Sequence, residues 1–198
     1  MKFDSQKHHR RSIRLKEYDY SQPGGYFITI VTYQRDLLFG EIVKEEMKLN
    51  NYGRIVDECW REIPKHFQNV ELGTYVVMPN HIHGIIVIND ENGTTTNSSS
   101  FVGARHASPL PPRGVKPKSI GAIIGSFKSA VTRRLGKVFN ITGIWQRNYY
   151  EHVIRNHEDW DRIHKYIEAN PSMWAEDEEN PLFMGKEKPG HVDVEEEK

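Results

Sequence analysis

At 198 residues, with 37% hydrophobic content and one cysteine, the chain is sized for one domain with appendages, and an internal disulfide is excluded. Its formal net charge is zero, with 27 Lys and Arg against 27 Asp and Glu. No apolar run reaches the length of a membrane span and Met1 to Ser5 opens no signal peptide, so no membrane partner and a reducing, cytoplasmic setting are expected.

The zero balance conceals an asymmetry. Basic residues gather at the N-terminus, including Arg10, Arg11 and Arg14, and between Arg113 and Lys137. Acidic residues gather from Glu176 to Glu179 and again from Asp193. Such polarity predicts a nucleic-acid face with an acidic tail elsewhere. Solvated charge without a partner is the plainer alternative.

In chain order, residues 1–20 read as a basic arm. Tyr26 to Tyr33 is rich in β-branched and aromatic residues and predicts a strand. Leu38 to Leu49 predicts a small hairpin. Asn51 to Ile63 carries apolar residues at helical spacing, with Pro64 at its end. Thr74 to Met78 and His81 to Asn89 predict two strands around the turn at Pro79-Asn80. Residues 90–118 are rich in Ser, Thr and Pro and read as a disordered insertion. Ser119 to Leu135 predicts an amphipathic helix whose wet side carries Lys128, Arg133, Arg134 and, just beyond, Lys137, candidate phosphate contacts together with the arginines of the arm. Ile144 to Ile154 predicts the last strand. Asn156 caps a third helix, with core residues Trp160, Ile163 and Ile167, and Asn170-Pro171 ends it. Everything past Trp174, residues 175–198, reads as an acidic tail.

The resulting order is strand, helix, strand, strand, helix, strand and an added helix. It predicts an α+β, ferredoxin-like split βαβ sandwich over residues 21–174: an antiparallel sheet with helices on one face.

The chemistry centres on His81 and His83. Residues i and i+2 of a strand share a face, roughly 6.5–7 Å apart. Two imidazoles so placed can close on one ion at about 2.0–2.1 Å. A hydrogen-bonded pair at a strand end is the structural alternative. Tyr166 and Asn170 lie one helical turn apart on the third helix and share a face. Tyr166 is either a rim residue of the core or a phenol leaning over the sheet toward the histidines. In the second case Asn170 offers an oxygen as third ligand. Mixed imidazole and amide donors suit a hard ion, Mg²⁺ or Mn²⁺, serving a phosphate.

These stretches, in this order, resemble the REP-associated branch of the single-tyrosine HUH transposases. The resemblance rests on Arg14-Leu15 with Tyr18-Asp19-Tyr20 and Tyr26-Phe27-Ile28-Thr29, then Val76 to His83, Ser126 to Ser129, Trp145-Gln146 with Tyr149-Tyr150, and Tyr166 to Pro171. It implies a metal-dependent enzyme that cleaves and rejoins single-stranded, hairpin-forming DNA. His81 and His83 would bind the ion and Tyr166 would form a 5′-phosphotyrosine. Asn170 stands where the insertion-sequence branch has Gln. The family includes dimers, so a homodimer is an open expectation. Tyr149 and Tyr150 are rival nucleophiles without an i+4 partner, and His152 is a candidate DNA contact or packing residue. Two other classes compete: a non-catalytic nucleic-acid binding module on the same fold, and a zinc hydrolase, for which a further ligand cluster is wanting.

Overall fold

The computed structural model describes residues 18–90 and 116–183. Arg10, Arg11 and Arg14, most of the 90–118 insertion and the acidic run from Asp193 lie outside those residues. The described elements are, in order, β1 (Gly24–Val31), β2 (Gly40–Val43), β3 (Glu46–Leu49), α1 (Asn51–Arg61), α2 (Ile63–His66), β4 (Val70–Val77), β5 (His81–Ile88), α3 (Ile120–Phe139), β6 (Tyr150–Ile154) and α4 (His157–Ala169). The main sheet runs β4-β5-β1-β6 and every pairing in it is antiparallel. This is the split βαβ order predicted above, with β2 and β3 forming a separate hairpin.

Local chemistry places each boundary. Asn50 caps α1 by accepting from the backbone N–H groups of Tyr52 and Gly53. Ser119 does the same for α3 through Ala122, and Asn156 for α4 through Asp159. Each side-chain oxygen satisfies a donor that the first helical turn leaves open. The α3 helix stops where Asn140 turns left-handed, at φ 56°.

Strand alternation divides the core in two. Tyr26, Ile28 and Ile30 of β1, with Ile82 and Ile86 of β5, face α1 and α3, where they pack with Trp60, Phe127 and Val131. The other face of the sheet carries Phe27 and Ile85, covered by Ile163 and Ile167 of α4. Thus α1 and α3 lie on one side and the added helix on the other.

The last strand is shorter than the sequence suggests. Pairing covers only Tyr150–Ile154, while Trp145 makes an isolated bridge to Thr32. Between them the chain is held by Lys128, whose Nζ donates to the carbonyls of Gln146 at 2.9 Å and Asn148 at 2.8 Å. A lysine here does what ladder hydrogen bonds do in a strand. Among the described residues no helix is long and apolar enough to cross a membrane.

Gly84 lets the larger core press against β5. A Cβ there would lie 2.4 Å from Trp60 Cζ2 and 3.0 Å from Tyr75 Cβ. Trp60 is fully buried and rests edge-on against Phe127, with ring centroids 5.2 Å apart. It cannot yield without opening the core. Gly84→Ala is therefore expected to lower unfolding free energy by about 1–3 kcal/mol, read from a urea titration.

Candidate metal and tyrosine site

The site begins at the β4–β5 turn. Met78 N–H donates to the His81 carbonyl at 2.8 Å, and Thr32 N–H to the Asn80 carbonyl at 2.8 Å. With the turn held on both sides, the period of the strand sends Ile82 and Gly84 toward α1 and α3, and His81 and His83 toward α4. Both imidazoles are buried, with 0% and 3% exposure, and their ring centroids are 4.4 Å apart.

Asn80 decides which nitrogen of His81 is available. Its Nδ2 donates to the carbonyls of Arg35 at 3.1 Å and Glu179 at 2.7 Å, so its Oδ1 faces His81 Nδ1 at 2.9 Å. An amide oxygen only accepts, so Nδ1 carries the proton. Burial pushes the His81 imidazole down to about 4, against the pull of the Asp177 carboxylate, and the ring is neutral near pH 7. Nε2 is then a bare lone pair. It lies 3.8 Å from Asp177 Oδ2 and has no hydrogen-bond partner among the described residues.

Asn170, 2% exposed, donates from Nδ2 to Asp177 Oδ2 at 3.1 Å, and its Oδ1 has no hydrogen-bond partner among the described residues. A lone pair, a carboxylate and an amide oxygen thus gather among buried side chains, with few donors among the described residues. Such an arrangement is costly unless a cation sits among them. Ligand atoms of His81, His83 and Asp177 all lie within 4.8 Å of one another. The donor set fits a divalent ion, with Asn170 Oδ1 as an additional oxygen beside it.

Tyr166 reaches the same space from α4. Its hydroxyl is 3.2 Å from His83 Nε2, and its ring stands edge-on to Phe27 at 6.0 Å. Thr29 Oγ1 is 2.9 Å from His83 Nδ1. Where Thr29 accepts from Nδ1, the phenol donates to Nε2. Burial and the Asp177, Glu179 and Glu178 carboxylates push the Tyr166 phenol up to about 12, so it is protonated at neutral pH.

The structure therefore brings His81, His83, Tyr166 and Asn170 together. Asp177 joins them although its segment reads in the sequence as part of an acidic tail. The segment from Trp174 to Glu179 instead folds back onto the histidines. Trp174 lies 6.0 Å from the His81 ring, Glu179 N–H donates to Asp177 Oδ1 at 2.6 Å, and Glu179 pairs with Arg35 at 2.9 Å. Trp174 and the Asn180-Pro181 turn, apolar and turn-forming residues in a charged run, were the available signal.

The basic candidates stand apart from the histidines. Arg133 and Lys137 are exposed on α3, on the opposite side of the sheet from Tyr166. Arg134 is paired with Glu62 and lies 3.8 Å from Glu58, and Lys128 holds the 146–148 backbone. Arg10, Arg11 and Arg14 lie outside the described residues. His152 Nε2 donates to Asp159 Oδ2 at 2.7 Å, which ties β6 to α4. Tyr149 packs into the α1–α3 core, away from the histidines.

Burying two neutral imidazoles makes the fold acid-sensitive. The unfolded chain binds a proton on His81 near pH 6.5, whereas the folded chain resists it down to about 4. Stability that is complete above pH 6.5 is thus lost as pH falls through that window. His81 alone is expected to cost about 2 kcal/mol between pH 7 and pH 5. Urea titrations at both pH values check this, and His81→Gln should show a correspondingly smaller loss.

No family model matches the chain. An uncharacterized protein of Haemophilus influenzae is 42% identical over 177 residues, which span 89% of this chain and 96% of that one. A solved structure of a REP-associated tyrosine transposase bound to a REP hairpin is similar at a TM-score of 0.55, with 18% identity over 82% of this chain and 74% of that one. The chain belongs to one family with the Haemophilus influenzae protein, and its fold is that of the REP-associated tyrosine transposase.

Proposed function

We propose that the protein is a metal-dependent tyrosine transposase or endonuclease, which cleaves and rejoins single-stranded, hairpin-forming DNA. The observation that carries this reading is the Tyr166 hydroxyl 3.2 Å from His83 Nε2, beside a cluster of buried acceptors that a divalent cation would balance. The solved relative of the same fold is bound to a REP hairpin, which supports DNA as the partner.

His81 through Nε2, His83 and Asp177 would hold Mg²⁺ or Mn²⁺, with Asn170 supplying an oxygen nearby. The ion would draw charge from the scissile phosphate and the leaving 3′-oxygen. Asn80 and Thr29 keep the two rings turned to the site. The His83 lone pair that accepts from Tyr166 would turn to the ion, which frees the phenol.

In cleavage the Tyr166 oxygen bonds to phosphorus as its O–H proton passes to solvent water. The bond from phosphorus to the 3′-oxygen breaks, and that oxygen takes up a proton. The products are a 5′-phosphotyrosine and a free 3′-hydroxyl. Rejoining reverses the exchange without ATP, because the phosphodiester energy stays in the covalent bond. Arg10, Arg11, Arg14, Arg133 and Lys137 would meet phosphates outside the cleavage centre, with Lys128 and Arg134 contributing where their protein contacts allow.

The test is an adduct assay on labelled single-stranded hairpin DNA from the gene's own flanks, with Mn²⁺ or Mg²⁺. The parent should form a covalent protein–DNA adduct, Tyr166→Phe should abolish it, and His81→Ala should reduce it at least about 100-fold. An adduct that survives in Tyr166→Phe would sink the assignment of the nucleophile. Hairpin binding with no adduct from the parent would favour a binding module. Mn²⁺ titration by calorimetry adds a readout independent of cleavage: Asp177→Ala is expected to weaken binding by about 10- to 100-fold.

A further inference from the structure

We infer that Tyr150 is a base-stacking residue, which holds the nucleotide next to the scissile phosphate. The inference rests on DNA being the substrate, as proposed above, but not on which tyrosine is the nucleophile.

Tyr150 pairs with Thr29 on β1, and Thr29 pairs with His83 on β5. Directly paired residues of an antiparallel sheet project to the same face. Tyr150, Thr29 and His83 therefore form one row across three strands, on the face where α4 lies. Neighbouring strands are about 4.8 Å apart, so Tyr150 sits about 10 Å from His83 along that row. The hydrogen bond between Thr29 and His83 fixes the spacing in between.

The helix α4 covers only part of this face. It seals Ile154 at the far end of β6, whereas Tyr150 at the near end stays 40% exposed. Its ring is edge-on to Phe27 at 6.2 Å. Phe27 in turn stacks on His83 at 5.4 Å and meets Tyr166 edge-on at 6.0 Å. Phe27 is buried, so its two tyrosine neighbours are held from beneath on the face that carries the histidines. One of them, Tyr166, presents its hydroxyl to the phosphate chemistry. The other presents a ring on the edge strand beside it.

A single strand that threads its phosphate past His81 and His83 must place adjacent bases somewhere on this surface. Exposed aromatic rings on an open sheet are efficient partners for bases, because every base has a π-face. The Tyr150 ring rests against Phe27, two strands across the sheet from His83. It is a positioning residue, and its hydroxyl has no part in the role.

The experiment measures fluorescence anisotropy with the full chain in Mg²⁺, using two probes of equal charge. One is an oligothymidylate of about 12 nucleotides, within the usual site size, and the other is an abasic phosphodiester of the same length. The parent should prefer oligothymidylate. Tyr150→Ala should weaken that probe by about 5- to 150-fold and leave the abasic probe and the salt slope unchanged. Tyr150→Phe should match the parent. Tyr150→Leu, which refills the site without a π-face, should behave as Tyr150→Ala and serves in its place if alanine prevents folding.

Equal weakening of both probes, no change in either, or loss in Tyr150→Phe would each overturn the inference, as would a parent with no preference. The adduct assay separates the two proposals. Tyr150-dependent stacking without an adduct leaves the inference standing and removes the cleavage reading. An adduct with no stacking effect removes the inference alone.

Discussion

The hydrogen bond from His81 Nδ1 to Asn80 Oδ1 is the constraint on which the site depends. A neutral imidazole has one N–H and one lone pair, and the partner of the first decides where the second points. Asn80 leaves no freedom here. Its own N–H groups are committed to the carbonyls of Arg35 and Glu179, so only its oxygen can face the ring. Those carbonyls belong to the loop after β1 and to the segment after α4. One buried amide therefore ties two distant pieces of chain to one ring nitrogen, and the stiffness of the turn becomes stiffness of the candidate ligand.

The sheet supplies the rest of the order by dividing its two faces between different tasks. On one side Trp60, Phe127 and the α3 residues make the larger core. On the other, α4 seals a smaller cluster and brings Tyr166 to His83. Gly84 lies between the two functions, since its missing side chain lets Trp60 press against the strand directly behind His83. Close packing leaves that strand little room to shift. Precision at the histidines is thus set partly by the tryptophan on the opposite face.

Charge is arranged with similar economy. The carboxylate of Asp177 is buried, hydrogen-bonded by Asn170 and by the Glu179 amide, and faces a neutral ring instead of a cation. Glu179 beside it is partnered by Arg35. Acidic residues that look like a solubilising tail in composition behave as two classes in space. Asp177 turns inward with the histidines, and its neighbours stay at the rim. The lysine at 128 shows the converse, because its ammonium is half-buried on carbonyls where an amphipathic pattern suggests a wet face.

Much of this was legible in the residues alone. Strand period placed His81 and His83 on one face, helical period placed Tyr166 and Asn170 on another, and the order of elements specified the sheet. Those are local properties, set by two repeating geometries and by caps such as Asn50, Ser119 and Asn156. Local periodicity carries no information on what lies across a gap. That Tyr166 meets His83, that Lys128 is spent on the 146–148 backbone, that Arg134 faces Glu62, and that Asp177 joins the histidines were decided only when the chain closed. Each is a contact between segments far apart in sequence, and it exists because burial of polar atoms demands partners that the nearby chain could not provide.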